Sequence, residues 1–458
     1  MYLLDNPLRP YPWGSATAIA ELLGRTPSGG PEAELWIGAH PDSPSTVLGH
    51  GDSGTPLNEL VDADPDRTLG APTREAFGDR LPFLMKVLAA AAPLSLQAHP
   101  SPDQAAAGFE RENAALVPQD APHRNYRDAF AKPEMIFALT EFDALCGFRH
   151  PREAAEVFAG LVALLEKHSG WAPGILTAVV ADLRIPDEVT ALREAFTRLL
   201  SGGAGTRAAV EAVVGALENE PEMGFPGSAA EGGLLRTAVE TVRLLNGHHP
   251  GDPGVLVALL LNRITLTPGQ ALYLPAGNIH AYLEGLGIEV MGSSDNVLRG
   301  GLTGKHVDTA ELLKTVEFAP LDLPLLQPES TPLGQELYCP PFDEFQLQRL
   351  ELPVAFGDDA VSADIPVAQN GPAVVLVVSG TVVLDSPKGD LILHRGQSAF
   401  IPANESPVMA RLASDTGDQT GEDDDGTALA FAVTVGAAGD PNPGALGPVR
   451  GRLEETKP

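Results

Sequence analysis

Positive charge is scarce in this chain: 30 Lys and Arg stand against 61 Asp and Glu, a formal net charge of −31. So acidic a surface repels nucleic acid and anionic membranes, and neither is an expected partner. A site for an anionic substrate must then gather the few cations locally, which gives weight to every Lys and Arg inside a motif. Cysteine is nearly absent. Only Cys146 and Cys339 occur, far apart, which argues against a disulfide framework and favours a reducing, cytoplasmic setting. Aromatic residues make up only 5% of the chain, so the cores must be built mainly from Leu, Val and Ala. Long hydrophobic runs are missing as well. The apolar run at 255–261 ends at Asn262-Arg263, far too short to cross a bilayer, and reads as a buried strand. Residues 1–7 carry neither a basic n-region nor a long apolar stretch, so no signal peptide is expected.

With 458 residues the chain exceeds one ordinary core, and two to four domains are expected. Residues 1–150 read as short strands and turns with some helix. Glu34-Leu35-Trp36-Ile37-Gly38-Ala39-His40-Pro41 and Pro82-Phe83-Leu84-Met85-Lys86-Val87-Leu88 look like buried strands bounded by Pro and Gly. From about 152 to 246 the periodicity turns helical. Phe158, Leu161 and Leu165 share a face, as do Val189, Leu192, Phe196 and Leu199. Val210, Val213, Val214 and Leu217 form another stripe, and Leu235, Val239, Val242 and Leu245 a fourth. Gly202-Gly203 and Gly247 sit where helix stops are expected, so 151–250 is predicted to be a module of four or five helices.

Strands return from about residue 254. The phrase Leu266-Thr267-Pro268-Gly269-Gln270-Ala271-Leu272-Tyr273-Leu274-Pro275-Ala276-Gly277 has a partner in Leu393-His394-Arg395-Gly396-Gln397-Ser398-Ala399-Phe400-Ile401-Pro402-Ala403-Asn404. Aligning Gly269-Gln270 on Gly396-Gln397 also aligns Pro275-Ala276 with Pro402-Ala403, a weak internal repeat. Short Gly-bounded strands of this kind suit jelly-roll barrels of the cupin type. The predicted fold class is therefore mainly β with a helical insert: two cupin-like jelly-roll β-barrels plus an α-helical domain. Residues 1–150 and 251–320 would form the catalytic barrel, 151–250 the helical domain, and 321–458 the C-terminal barrel. Pro407 falls where His280 stands, so the second barrel is expected to lack a metal. Residues 414–426, with Asp415, Asp418, Glu422, Asp423, Asp424 and Asp425, show no apolar period and read as a disordered hairpin loop.

Alternate side chains of a strand share a face. Ser95, Gln97 and His99 then line one wall, Lys132 and Glu134 a second, and His280 with Tyr282 a third. Two imidazoles, one carboxylate and one amide oxygen make an N/O set for a divalent metal with room for substrate. Each member also has a plainer reading. A strand His is usually a hydrogen-bonded structural residue, the Pro275-Ala276-Gly277 turn can present His280 to solvent, and Lys132 can be a solvated cation or a partner of Glu134. Glu134 is more telling, because a carboxylate beside the apolar run Met135-Ile136-Phe137-Ala138-Leu139 is costly unless paired or coordinated. In Ser293-Ser294-Asp295-Asn296-Val297-Leu298-Arg299-Gly300-Gly301-Leu302-Thr303-Gly304-Lys305, small residues around Arg299 and Lys305 suit an anion-binding loop. The competing reading there is an ion pair between Asp295 and Arg299. His248-His249 read as exposed loop residues.

Taken together, these phrases resemble the type I mannose-6-phosphate isomerases. The resemblance rests on Tyr11-Pro12-Trp13-Gly14, Ala33 to Pro41, Pro82-Phe83-Leu84-Met85-Lys86, Leu94-Ser95-Leu96-Gln97-Ala98-His99-Pro100, Lys132-Pro133-Glu134-Met135 and the run 272–305. It spans residues 1–150 and 250–310; the helical insert and the C-terminal barrel resemble the family only in architecture. The resemblance implies zinc, one per chain, on Gln97, His99, Glu134 and His280, with Arg299 as the catalytic arginine. It places Lys86, Lys132, Ser95 and Lys305 along a sugar-phosphate cleft, with Trp13, Tyr282 and Asp295 near it. One position departs from the family: Ala131 stands where a His commonly precedes Lys-Pro-Glu, so that imidazole can play no part here.

The implied reaction interconverts D-mannose 6-phosphate and D-fructose 6-phosphate through an enediol(ate) and feeds mannose activation. It needs a base, an electrophile on the oxygens and a phosphate anchor. A water on the metal, Asp295, or His99 on leaving the metal are the available bases, and the sequence does not choose. A monomer is expected, with a small sugar phosphate as its only partner. Two other classes fit parts of the pattern. An iron-dependent cupin oxygenase normally shows two His and a carboxylate, and Gln97 and the phosphate-friendly loop argue against it. A non-enzymatic bicupin that holds a sugar would be favoured if no metal were retained. Because 414–426 is acidic and aperiodic it can bury little apolar surface. Its deletion is expected to leave turnover and melting temperature nearly unchanged, and a large fall in either would show that it packs or gates something.

Overall fold

The computed structural model describes residues 1–49, 54–218, 229–352, 364–413 and 427–436. The acidic segment 414–426 lies outside the described residues. The described residues are mixed α/β: sheets of eleven, nine and four strands, built on antiparallel pairs, and a helical region. Strand Phe83–Ala90 is buried along its whole length. It pairs with Glu34–Gly38 on one side, Trp36 opposite Lys86, and with His280–Gly292 on the other, Glu289 opposite Lys86. Residues directly opposite in an antiparallel pair present their side chains to the same face. Strand register therefore sets Lys86 between an indole and a carboxylate.

The strand His280–Gly292, 13 residues long, serves two groups of neighbours. Its later part pairs with Phe83–Ala90 and with Glu134–Ala138. Its beginning pairs instead with Leu96–Ala98, His280 opposite Gln97, and with Phe142–Phe148. The change of partners is made by a register shift between Tyr282 and Glu284 and by Gly285, whose φ is 136°. A Cβ at Gly285 would lie 2.7 Å from the Phe142 ring, so only glycine fits this bend.

The nine-stranded sheet joins the two ends of the sequence. Strand Tyr2–Asp5 pairs with Ser398–Ile401, Tyr2 opposite Phe400. Period-two alternation divides strand Ala373–Ser379 between two cores. Val374, Leu376 and Val378 pack with Phe83, Met85 and Val87, whereas Ala373, Val375 and Val377 pack with Val382, Leu384 and Ala410 of the four-stranded sheet. The sequence repeat has a structural counterpart in its turns. Gly269 and Gly396 have φ of 92° and 84°, and the Gln that follows each accepts from a backbone N–H three residues before it, Thr267 and His394, both at 2.8 Å.

Among the described residues, five helices, Pro151–Ser169, Gly174–Asp182, Glu188–Ser201, Gly203–Glu218 and Ala229–His248, form the helical region. Gly202 caps the third of them, but Gly247 lies inside the last one, so it is not the stop that its residue type suggests. Val189 is 46% exposed, off the buried face of Leu192, Phe196 and Leu199, because it sits in the first turn of its helix. The run 255–261 is not a strand. Gly254–Val257 is α-helical and Ala258–Leu260 is 3-10 helical, and the strand begins only at Leu261. Burial on every side removes the polar periodicity that separates helix from strand in so short a run.

The insert leaves and re-enters the sheet at one place. Phe148 pairs with Leu261, and the Arg149 N–H donates to the Leu260 carbonyl at 3.0 Å. Above this junction Phe148, Phe196 and Phe318 meet with ring centroids 5.4–5.8 Å apart. Phe196 is fully buried, so Phe196→Ala is expected to cost about 3–5 kcal/mol in denaturant unfolding. A cost below about 1 kcal/mol would show that the insert is not held through this trio.

Candidate metal centre

Glu134 opens the strand Glu134–Ala138, and its carboxylate is 1% exposed between three nitrogen groups. His99 Nε2 lies 3.3 Å from Oε1, His280 Nε2 lies 3.2 Å from Oε2, and Lys132 Nζ lies 2.9 Å from Oε1. Each ring is oriented through its other nitrogen. His99 Nδ1 sits 2.7 Å from the Asn296 carbonyl, and His280 Nδ1 sits 3.1 Å from the Asn278 carbonyl. Donation from both Nδ1–H groups leaves a lone pair on each Nε2, the tautomer a metal ligand needs.

Three of these atoms, His99 Nε2, Glu134 Oε2 and His280 Nε2, are buried without a hydrogen-bond partner among the described residues. Orphaned polar atoms of this kind are rare in folded proteins, and three facing one another fit a cation. Ligand atoms of the three residues lie within 4.8 Å of one another, the one such cluster among the described residues. Gln97 is half-buried and directly opposite His280, so it shares the face on which the imidazole stands. A neutral amide there would complete an N/O set without adding a second negative charge.

Arg299 is directly opposite Gln97 on the other side, which brings it to the same face. No ion pair joins it to Asp295 among the described residues. Burial, and then Arg127, hold the Arg299 guanidinium below its ordinary pKa. Partial burial of its otherwise exposed side chain, then Arg299 and Arg127, do the same for Lys305. These cations lack carboxylate partners among the described residues, which on so acidic a chain marks a place suited to an anion. Arg127 was not singled out by sequence, because nothing local to it signals the encounter with Arg299.

The other sequence-selected residues divide. Lys86 is buried, 2.8 Å from Glu289 and 3.7 Å from Glu34, and 5.2 Å from the Trp36 ring centre. Two carboxylates share one ammonium there. They hold the Lys86 ammonium above its ordinary range despite burial, while burial and the neighbouring carboxylates raise Glu289 as well. Tyr282 is fully buried beside His280, and burial, then Glu289 and Glu134, push its phenol well above the usual range. Trp13 stacks on Tyr11 at 5.7 Å and packs in the cluster that holds Tyr282. Ser95 is half-buried just before the Gln97 strand, and Lys305 is exposed. Asp295 contacts His40, which is 2% exposed. His40, Glu34, Glu289 and Asn296 were missed as site residues; all but Glu289 stand in phrases already quoted, and the signal for Glu289 is only its register opposite Lys86.

The His99 imidazole is pushed down to about 4, chiefly by burial and against the pull of Glu134. Its ordinary value is 6.5, so between these two values the unfolded chain binds the extra proton and the folded chain does not. Stability from this group is full above 6.5 and is lost as pH falls toward 4. Metal-stripped protein is therefore expected to melt progressively lower across that window, and His99→Gln to flatten the profile. A parent profile that is already flat would overturn this.

Residues 1–151 match the family described as phosphomannose isomerase type I, catalytic domain. The mannose-6-phosphate isomerase of Escherichia coli (strain K12) is 38% identical over 414 residues, which cover 90% of this chain and 97% of that protein. That of Mus musculus is 30% identical over 434 residues, 89% of this chain and 95% of that one. A crystal structure of mannose 6-phosphate isomerase bound with zinc and yttrium superposes with a TM-score of 0.74 at 34% identity, over 94% of this chain and 98% of that chain. With identity sustained along nine-tenths of its length, the chain belongs to the type I phosphomannose isomerases.

Proposed function

We propose that the chain is a mannose-6-phosphate isomerase that interconverts D-mannose 6-phosphate and D-fructose 6-phosphate at the Glu134 cluster. The observation that carries this reading is the buried His99, Glu134 and His280 set, with its orphaned atoms, standing beside cations that lack carboxylates. Gln97, His99, Glu134 and His280 would hold one zinc ion per chain. When bound there, zinc supplies a Lewis acid for the sugar oxygens.

The chain's own residues do the rest. Arg299, with Lys305 and Arg127, meets the negative charge of the phosphate and the charge that develops on the enediolate. Lys132 reaches the cluster through Glu134 and would donate to a sugar oxygen, as would the Ser95 hydroxyl. Trp13 and Tyr282 form apolar wall, which limits water around the developing charge. Lys86 acts from behind, because its ammonium already balances Glu289 and Glu34.

The two-barrel reading, with units at 1–150 plus 251–320, 151–250 and 321–458, belongs to the same proposal, as do a monomeric state and a cytoplasmic setting. The two-barrel part of it is supported by the paired Gly-Gln turns. None of the described helices is long and apolar enough to cross a membrane.

A coupled assay for fructose 6-phosphate formed from mannose 6-phosphate tests the activity, with loss on chelation and return with zinc. No product from zinc-loaded protein would overturn the reading. Arg299→Ala is expected to lower kcat about a hundredfold to a thousandfold, with a smaller change in KM and zinc retained. Near-normal kcat in that variant would remove Arg299 from the chemistry.

A further inference from the structure

The loop that carries Arg299 and Lys305 turns in a conformation its sequence resists. Arg299 and Gly301 stand opposite Gln97 and Leu96, so Gly300 is an extra residue and the strand bulges directly after Arg299. Gly301 has φ 129°, and the leucine that follows it, Leu302, has φ 55°. Glycine takes such values freely, but a leucine there is strained and stays only where its surroundings hold it. Leu302 is held twice. Its side chain is 1% exposed, within the core that contains Leu256 and Leu312, and its N–H donates to Asp252 Oδ1 at 3.0 Å.

Asp252 lies on the turn by which the helical insert returns to the sheet, just after the helix Ala229–His248. The same Oδ1 accepts from the Gly254 N–H at 2.7 Å, so one oxygen ties the insert's exit turn to the loop. The two backbones touch with no room for side chains between them. A Cβ at Gly254 would lie 2.7 Å from the Leu302 nitrogen, and one at Gly301 would lie 2.8 Å from the Gly254 Cα. Asp252 is half-buried, and its side chain has backbone partners only among the described residues. Neither hydrogen bond nor ion pair joins it to His99, Glu134 or His280 there.

We propose that Asp252 is a positioning residue for the sugar-phosphate site: it holds Leu302 in its strained turn and thereby sets where Arg299 and Lys305 stand. The assignment rests on the isomerase reading and deepens it, because it gives the helical insert a part in substrate binding. Arg299 lies three residues before Leu302 and Lys305 three after it. A turn that relaxed at Leu302 would carry both cations away from the phosphate they meet, and a misplacement of about 1 Å costs on the order of a hundredfold in rate. Both N–H groups use one oxygen of Asp252. The loop therefore requires an acceptor at that place and not a negative charge.

The test uses zinc-loaded full-length protein and its Asp252→Ala, Asp252→Asn and Asp252→Glu variants, read by steady-state kinetics and by competitive inhibition with inorganic phosphate. Asp252→Ala is expected to lower kcat/KM about tenfold to a hundredfold and to weaken phosphate inhibition about tenfold, with zinc content unchanged. Asp252→Asn keeps an oxygen in place and should recover most of that loss. Asp252→Glu keeps the charge but displaces the oxygen by a methylene, and should behave like Asp252→Ala. A merely structural Asp252 would lower the melting temperature and leave kcat/KM and phosphate inhibition of the folded protein at parental values. If Asp252→Ala fails to fold, a working Asp252→Asn beside an impaired Asp252→Glu supports the assignment. Equal behaviour of those two variants, or the reverse order, overturns it. So does kcat/KM within about twofold of the parent in folded Asp252→Ala. A zinc-loaded parent that yields no fructose 6-phosphate would instead overturn the isomerase reading and this assignment with it.

Discussion

A single buried carboxylate organises this molecule's chemistry. Glu134 has two imidazoles and an ammonium within 3.3 Å, and none of the four groups is in free contact with water. A carboxylate so far from solvent is tolerable only when positive charge surrounds it. Lys132 and His99 accordingly hold it well below the usual carboxylate range although burial pushes the other way. His99 is displaced toward neutrality by the same burial, which leaves its ring ready to ligate. Charge and desolvation act on neighbouring residues in opposite senses, and both results suit a cation.

Strand register delivers the rest. Gln97 sits between His280 on one neighbour and Arg299 on the other, so three strands set an amide, an imidazole and a guanidinium on one face. Asn296 extends this order into the loop: its side chain accepts from Arg127 and donates to the Asp128 and Phe130 carbonyls at 2.9 Å, while its own carbonyl fixes His99. Loss of that one amide would loosen the cation loop and the metal cluster together.

What was legible in sequence was mostly what is local. Alternation along Ser95, Gln97 and His99, the cost of Glu134 beside an apolar run, and glycines around Arg299 are short-range signals. The helical insert was legible for the same reason, since 3.6-residue periodicity repeats through five helices. The failures have equally physical causes. The run 255–261 is apolar on all sides and so carries no period, and Gly247 lies within a helix whose packing tolerates it. His40 passed as strand-end sequence because its contact is with Asp295, 255 residues later, and Glu289 because its partner is set by register.

The insert's junction bears on the order in which the protein assembles during synthesis. Because Phe148 and Leu261 pair directly, the helical region is a closed excursion whose ends meet, rich in local contacts that can form early. His280 emerges later than all of it, and strand Ala428–Thr434 later still. For much of its translation the chain therefore holds His99 and Glu134 without their third partner. A nascent chain in that condition exposes an incomplete ligand pair, unpaired sheet edges and the helical face that Phe318 later covers, which makes the interval before His280 arrives vulnerable to misassembly.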